Sequence, residues 1–356
     1  MSKYWSEITK SIEPYVCGEQ PKDKKYVKLN TNENPYPPSP KVLEAIKNAA
    51  NEDLRLYPDP NCDELSETIA KYYNLDRNQV FIGNGSDEVL AFSFLAFFNP
   101  SETIVFPDIS YSFYPVYAGL YNIDYKLAKL KDDFSIPVDE FMIENGGVVI
   151  PNPNAPTAKY LDIASIKKIL DYNSNKVVII DEAYIDFGGT SVVSLIKDYP
   201  NLLVIQTLSK SRSLAGIRLG FALGQAELID GLNRIKNSFN SYTIDRVASA
   251  AAVEAIKDED YFKECVRRII DTRESVTEKL TALGFNVIPS KANFIFAAHT
   301  VYPAQELFIR LREKGVLVRY FNKDRINNYL RISIGSEDEM EFFVEKVKEI
   351  IDEIKG

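Results

Sequence analysis

The sequence predicts an α/β protein: a large domain with a mainly parallel seven-stranded sheet flanked by helices, plus a smaller α+β domain. Three observations carry this expectation. Between about residue 80 and 224, short β-rich runs alternate with helical patterns. Those runs show little polar alternation, as strands buried on both faces of a parallel sheet require. After the charged helical stretch 258–284, strands packed on helices take over.

The elements follow in chain order. Residues 1–40 form an arm assigned with the small domain. Its stretch from Leu29 to Pro40 is rich in Asn and Pro, and each proline disfavours helix before it, so it is extended. It reads either as a linker or as an ordered arm crossing a site. Residues 41–270 form the large domain. Its strands are expected at 80–83, 103–107, 125–130, 148–151, 176–181, 202–207 and 218–224, with helices such as 86–98 and 163–172 between them. Residues 271–356 form the small domain, the boundary falling within the 258–284 helix. Strands are expected there at 286–289, 293–298, 316–321 and 329–334, then an amphipathic helix at 337–354. No low-complexity segment or repeat is evident.

Composition narrows the function. With 356 residues and 45% hydrophobic content, the chain can bury a large core. A net charge of −9 argues against nucleic acid or an anionic membrane as partner. Cys17, Cys62 and Cys265 lie far apart without CxxC spacing, which reads as reduced thiols in a cytoplasmic protein. The start lacks a secretory apolar region, and no apolar run reaches membrane-span length. The single histidine, His299, excludes a His-cluster metal site and reads as a strand-end residue; no metal is expected.

The chemistry lies at strand ends. Asn152, Asp181 and Lys210 each follow an apolar run and are spaced 29 residues apart, 152 to 181 and 181 to 210. One strand-helix-strand unit takes roughly 30 residues, so parallel strands would carry all three to the carboxyl edge, where open α/β sheets bind ligands. Lys210 sits among Thr207, Ser209, Ser211 and Ser213, with Arg218 beyond. A lysine able to form a Schiff base beside hydroxyls and a cation that suit a phosphate is what pyridoxal 5′-phosphate (PLP) requires. A polar loop with a solvated lysine is the plainer reading of the segment taken alone. Asp181 would pair with the protonated pyridine nitrogen, or else cap a strand end. Tyr184, with Asn152 or Asn154, could bond the phenolate oxygen.

A second phosphate-binding element is Gly83-Asn84-Gly85-Ser86-Asp87-Glu88. Glu88 occupies the third glycine position of a dinucleotide fingerprint, so that fold is not implied. The glycines followed by the N–H groups of Ser86 and Asp87 at a helix start make a phosphate cradle. Thr207, Ser209 and Arg218 could reach the same phosphate. Tyr111 could stack on a ring, or pack in the core with Phe113 and Tyr114. Arg319 and Arg331 lie inside apolar runs, suited to a solvated strand face or to gripping an anionic substrate.

Together with Leu29-Asn30-Thr31-Asn32-Glu33-Asn34-Pro35, Tyr57-Pro58-Asp59, Asn152-Pro153-Asn154-Ala155-Pro156-Thr157 and Leu330-Arg331-Ile332, these segments resemble the fold-type I PLP-dependent aminotransferases over nearly the whole chain. The resemblance implies that Lys210 holds PLP and shuttles protons, Asp181 binds the ring nitrogen, Tyr184 the phenolate, and Tyr111 stacks on the ring. Gly85, Ser86, Asp87, Thr207, Ser209 and Arg218 would hold the cofactor phosphate. Tyr57 would reach a neighbouring subunit's cofactor, implying a homodimer. Tyr15, Asn34, Arg319 and Arg331 would line the substrate pocket. The chain departs from the family at Ala155, where the family has asparagine, and at Ala158, where it has glycine; the phenolate-binding asparagine is then expected to be Asn154, with Asn152 as alternative. The implied reaction is transamination between L-histidinol phosphate and 2-oxoglutarate. Aromatic amino acids, PLP-dependent decarboxylation of phosphothreonine, and a non-catalytic α/β nucleotide-binding protein are the alternatives.

Overall fold

The computed structural model describes residues 2–15 and 18–355, so Cys17 lies outside the described residues. The arm contributes strand β1 (Val27–Lys28). The large sheet contains β2 (Val80–Gly83), β3 (Ile104–Pro107), β4 (Tyr125–Ala128), β5 (Val148–Pro151), β6 (Val178–Asp181), β7 (Leu202–Thr207) and β8 (Gly220–Gly224). Their spatial order is β2-β8-β7-β6-β5-β3-β4. The pairs from β4 through β7 are parallel, while β8 runs antiparallel to β7 and β2.

Three strands of the large sheet are two residues shorter than expected, each for a local reason. After Ala128 the chain leaves the ladder, and Leu130 N donates to Asp108 Oδ1 at 2.9 Å. Lys176 N turns back to Asn173 O at 2.9 Å before β6 can start. Arg218 has φ of 59°, a left-handed conformation that no strand accommodates.

Strand alternation sorts the apolar runs onto two faces. Val148, Ile150, Val178, Ile180 and Val204 join one core with Leu65, Ile69, Ile166 and Ala251. Val149, Ile179, Leu203 and Ile205 face the other, with Val89, Phe92, Tyr114 and Ile229. Both faces are covered by helices, which is why the strands read as continuous apolar runs. One covering helix, Ile163–Tyr172, starts where the Asp162 carboxylate accepts from Ser165 N at 2.8 Å. It buries Ile166, Ile169 and Leu170, one face at helical spacing.

The helix Glu259–Ala282 leads to a second, antiparallel sheet. Its strands are β9 (Phe285–Ile288), β10 (Phe294–His299), β12 (Arg319–Tyr320) and β13 (Leu330–Ser333), in the order β12-β13-β10-β9; β11 (Val316–Leu317) lies apart. The single strand expected at 316–321 is therefore two. β11 pairs in parallel with β1 of the arm, whereas β12 pairs with β13, so the chain changes partners at Val318. Leu29 of the arm joins the core formed by Ile295, Leu307, Ile332 and Phe343. The arm is thus tied into the small unit by backbone pairing and by burial. His299 ends β10: Nε2 donates to Leu283 O and Nδ1 accepts from Val301 N and Tyr302 N, each at 3.0 Å. Those bonds fix one neutral tautomer, and burial pushes its pKa down. Among the described residues, no helix is long and apolar enough to cross a membrane.

Candidate active site

A cavity of about 360 Å³ opens between the carboxyl edge of the large sheet, the arm and the small unit. Asp181 and Lys210 both line it. They come from neighbouring parallel strands: Asp181 ends β6, opposite Ile205 of β7, and Lys210 follows β7.

The lysine is held by the arm. Asn34 Nδ2 donates to Lys210 O at 3.0 Å and to Ser211 O at 3.3 Å. Lys210 Nζ donates to Thr31 O at 3.3 Å and lies 5.9 Å from the centre of the Tyr184 ring. It makes no ion pair among the described residues.

Asp181 is 5% exposed. Its Oδ2 accepts from Tyr114 Oη at 2.8 Å, and its Oδ1 from Ala183 N at 3.2 Å. Burial outweighs these bonds and pushes its pKa up to about 6. Such a carboxylate is suited to a cation delivered into the cavity. Behind it, the Glu182 carboxylate accepts from Ser191 Oγ, Val192 N and Gln206 Nε2 at 2.6 to 2.8 Å; burial still raises its pKa to about 7.

The cradle begins at the helix Gly85–Phe97, whose first turn leaves N–H groups without intrahelical partners. Gly85 has φ of 79°. A Cβ on Gly220 would lie 2.3 Å from Ser86 N, so β8 and the helix start touch through backbone alone. Ser86, Asp87, Thr207, Ser209 and Arg218 line this end of the cavity. Thr207 Oγ1 accepts from Ser209 N at 3.1 Å, which folds the loop after β7 back toward the cradle. The Asp87 carboxylate does not face an anion. It accepts from Tyr111 Oη at 2.7 Å and from Arg218 Nη2 at 3.2 Å, orienting both, and leaves only its backbone N–H for a phosphate.

At the opposite end lie Tyr15, Arg319, Phe321 and Arg331. Tyr15 stacks on Phe113 with ring centres 4.2 Å apart. Arg331 Nη2 donates to Asn30 O at 2.8 Å, and its buried Nε has no hydrogen-bond partner. Neither arginine has a carboxylate partner among the described residues. Desolvation lowers the Arg331 pKa, and Arg319 adds to the effect by repulsion. Two unneutralised guanidinium groups make a site for a doubly charged anion.

Several expected site residues lie elsewhere. Asn154 is fully buried and does not line the cavity. Its Nδ2 is committed to Ile109 O at 2.9 Å and Thr157 Oγ1 at 2.8 Å, so the expectation that it bonds a phenolate is corrected. Asn152 is likewise closed on Leu161, donating to its O at 3.0 Å and accepting from its N at 2.8 Å. Ala155 and its flanking prolines form that wall instead. Asn34 grips the lysine backbone and does not line the cavity. Gly85 also stays behind the lining residues. Tyr57 is 78% exposed, stacks on Tyr242 at 4.7 Å, and is not part of this cavity. Sequence reasoning missed Tyr114 as the partner of Asp181. Its only signal was a position three residues after Tyr111. It also missed the roles of Thr31 and Asn32, although both lie in the Asn- and Pro-rich stretch that read as a linker or an arm crossing a site.

The donor set suits PLP: a lysine, a buried carboxylate without a cation, a phosphate cradle and a phenol face one volume. The fold is that of a PLP-dependent transferase of fold type I, and comparison with known proteins agrees. The chain belongs to the aminotransferase class I and II family, whose family model matches residues 24–347. Within that family it is 72% identical over 354 residues to the histidinol-phosphate aminotransferase of Clostridium botulinum strain Langeland, spanning 99% of this chain and 100% of the relative. It is 62% identical over 351 residues to the histidinol-phosphate aminotransferase of Clostridium acetobutylicum, again over 99% and 100%. The fold matches the crystal structure of histidinol-phosphate aminotransferase from Sinorhizobium meliloti in complex with pyridoxal-5′-phosphate, with a TM-score of 0.89, 22% identity and 99% of each chain covered.

Proposed function

We propose that the chain is a cytoplasmic, homodimeric enzyme that uses PLP to transaminate L-histidinol phosphate with 2-oxoglutarate, a step in histidine biosynthesis. One observation carries the reading: two arginines without carboxylate partners face the same cavity as Lys210 and Asp181. The names of the relatives support the choice of donor. When bound, PLP supplies an aldehyde for an amine and a cationic ring that withdraws electrons from the attached carbon.

Each residue then has a task. Lys210 would hold the cofactor through its Nζ, and that nitrogen, when free, would carry the proton that the reaction moves. Thr31 O gives the freed Nζ an acceptor. Asp181, steadied by Tyr114, would bind the ring nitrogen in its protonated form. Tyr184 would donate to the phenolate oxygen, and Tyr111 would pack against the ring. Ser86, Thr207, Ser209, Arg218 and the Asp87 N–H bind the cofactor phosphate. Arg319, Arg331 and Tyr15 hold the phosphate of the donor and the carboxylate of the acceptor. The exposed apolar residues Leu54, Leu56, Tyr57, Phe239 and Tyr242 support the reading of a dimer, in which Tyr57 would serve a second subunit.

The test compares turnover of histidinol phosphate and of phenylalanine, each with 2-oxoglutarate. The reading expects histidinol phosphate to have the higher kcat/KM. A preference for phenylalanine would move the assignment to the aromatic amino acids.

A further inference from the structure

We infer that Asn32 is a positioning residue that turns the Tyr184 hydroxyl toward the cavity, compensating for the amide that Ala155 lacks; the inference rests on the function proposed above. Asn32 is 1% exposed and stands where the arm meets the small unit. Its backbone N donates to Ser333 Oγ at 2.8 Å, and its backbone O accepts from Asn293 Nδ2 at 2.9 Å. Its side-chain Oδ1 accepts from Ser333 Oγ at 3.0 Å. With Oδ1 so engaged, the amide nitrogen must face the other way, and it lies 3.1 Å from Tyr184 Oη.

An amide nitrogen can only donate. Tyr184 Oη therefore accepts from Asn32, and its own proton is left for a group in the cavity. A hydroxyl that accepts one bond donates the next more strongly. The neighbouring residues of this wall cannot do the same. Ala155 has no polar side-chain atom, Asn152 Nδ2 donates to Leu161 O, and Asn154 Nδ2 donates to Ile109 O and Thr157 Oγ1. A ring oxygen beside Tyr184 would depend on this one donor. The charged and titratable groups facing Tyr184 are Lys210 from the loop after β7, Arg331 from β13, and Tyr111. Arg331 lies two residues before Ser333 on β13, so the small unit sets both the anion site and, through Asn32, the direction of a phenol three residues past β6.

The readout is the visible absorbance band of the PLP-loaded protein, titrated with pH. A donor to the ring oxygen favours its anionic form, so withdrawing the donor raises the midpoint. Asn32→Asp keeps the shape and the Ser333 bond but replaces the donor with an acceptor, drawing the Tyr184 proton away from the cavity. It also adds charge, so the same substitution is made in a Tyr184→Phe background. The relay predicts that Asn32→Asp raises the midpoint by about one pH unit more with Tyr184 present than in the Tyr184→Phe background. Asn32→Gly adds no charge and suits the left-handed φ of 55° at this position. It should raise the midpoint less, and not at all in the Tyr184→Phe background. Equal shifts in both backgrounds, or none in either, overturn the relay. A parent protein that forms no band with PLP overturns the proposed function instead. Circular dichroism and melting curves identify a misfolded variant, for which Asn32→Gly decides.

Discussion

Asp181 is a carboxylate kept where its charge is unwelcome until a cation meets it. Its pKa of about 6 lies above the ordinary 3.8, so the folded chain holds this proton more tightly than the unfolded chain. Its contribution to stability is full below about pH 4 and lost as pH rises through about 6. Glu182, raised to about 7, acts in the same direction over a slightly higher range; His299, with a lowered pKa, opposes them. Asp181→Asn should therefore flatten part of the decline in melting temperature of cofactor-free protein between about pH 4 and 7. Parallel profiles for parent and variant would refute this account of the site. The same variant should lose about a hundredfold or more in kcat, because a neutral amide cannot keep the ring nitrogen cationic. Lys210→Ala should abolish the borohydride-sensitive band and lower turnover by about a thousandfold or more. Arg331→Gln should reduce kcat/KM for histidinol phosphate by about tenfold to a hundredfold, the worth of a bond between charged groups. Phenylalanine should suffer far less, and equal losses would remove Arg331 from phosphate recognition.

At the scale of elements, the cradle depends on how closely β8 approaches the helix Gly85–Phe97. A Cβ on Gly220 would come 2.3 Å from Ser86 N and 2.6 Å from the Gly85 carbonyl carbon, both backbone atoms that cannot swing aside. Gly220→Ala should cost about 1–3 kcal/mol in stability and weaken PLP binding by about tenfold. Calorimetry and a PLP titration measure the two effects, and an unchanged affinity would dissociate the cradle from the cofactor. Most β-rich runs of the large sheet were legible because burial on both faces favours apolar residues; the edge strand β4, with Tyr125, Lys126 and Leu127 exposed, is the exception. Their ends were less so, since Arg218 and Leu130 leave the ladder through a backbone conformation and an Asp108 bond. The run at 316–321 misled because pattern shows that residues are extended but not which strand they pair with.

At the scale of the molecule, the arm, the small unit and the large sheet meet at the cavity, and the exposed patch around Tyr57 and Tyr242 does not line it. If that patch is the contact between two copies, Leu56→Asp should shift sedimentation from dimer toward monomer and reduce PLP retention together. A monomeric parent would refute the proposed assembly. The pairing of β1 with β11 and the burial of Leu29 show why the Asn-rich arm could not be separated from a linker by composition. Its order comes from partners some 300 residues away, such as Ser333, whose hydroxyl accepts from Asn32 N.

By itself the sequence determined the order and kind of the elements, the buried sheet, and the spacing that brings Asp181 and Lys210 to one edge. These follow from periodicity and burial, which act between residues close in sequence. Only the tertiary structure decided which polar side chains face the cavity. It turned Asn154 inward onto Ile109 and Thr157, set Tyr114 against Asp181, and brought Asn32 to Tyr184. A side-chain amide points wherever its donors and acceptors are satisfied, and here those partners come from distant parts of the chain.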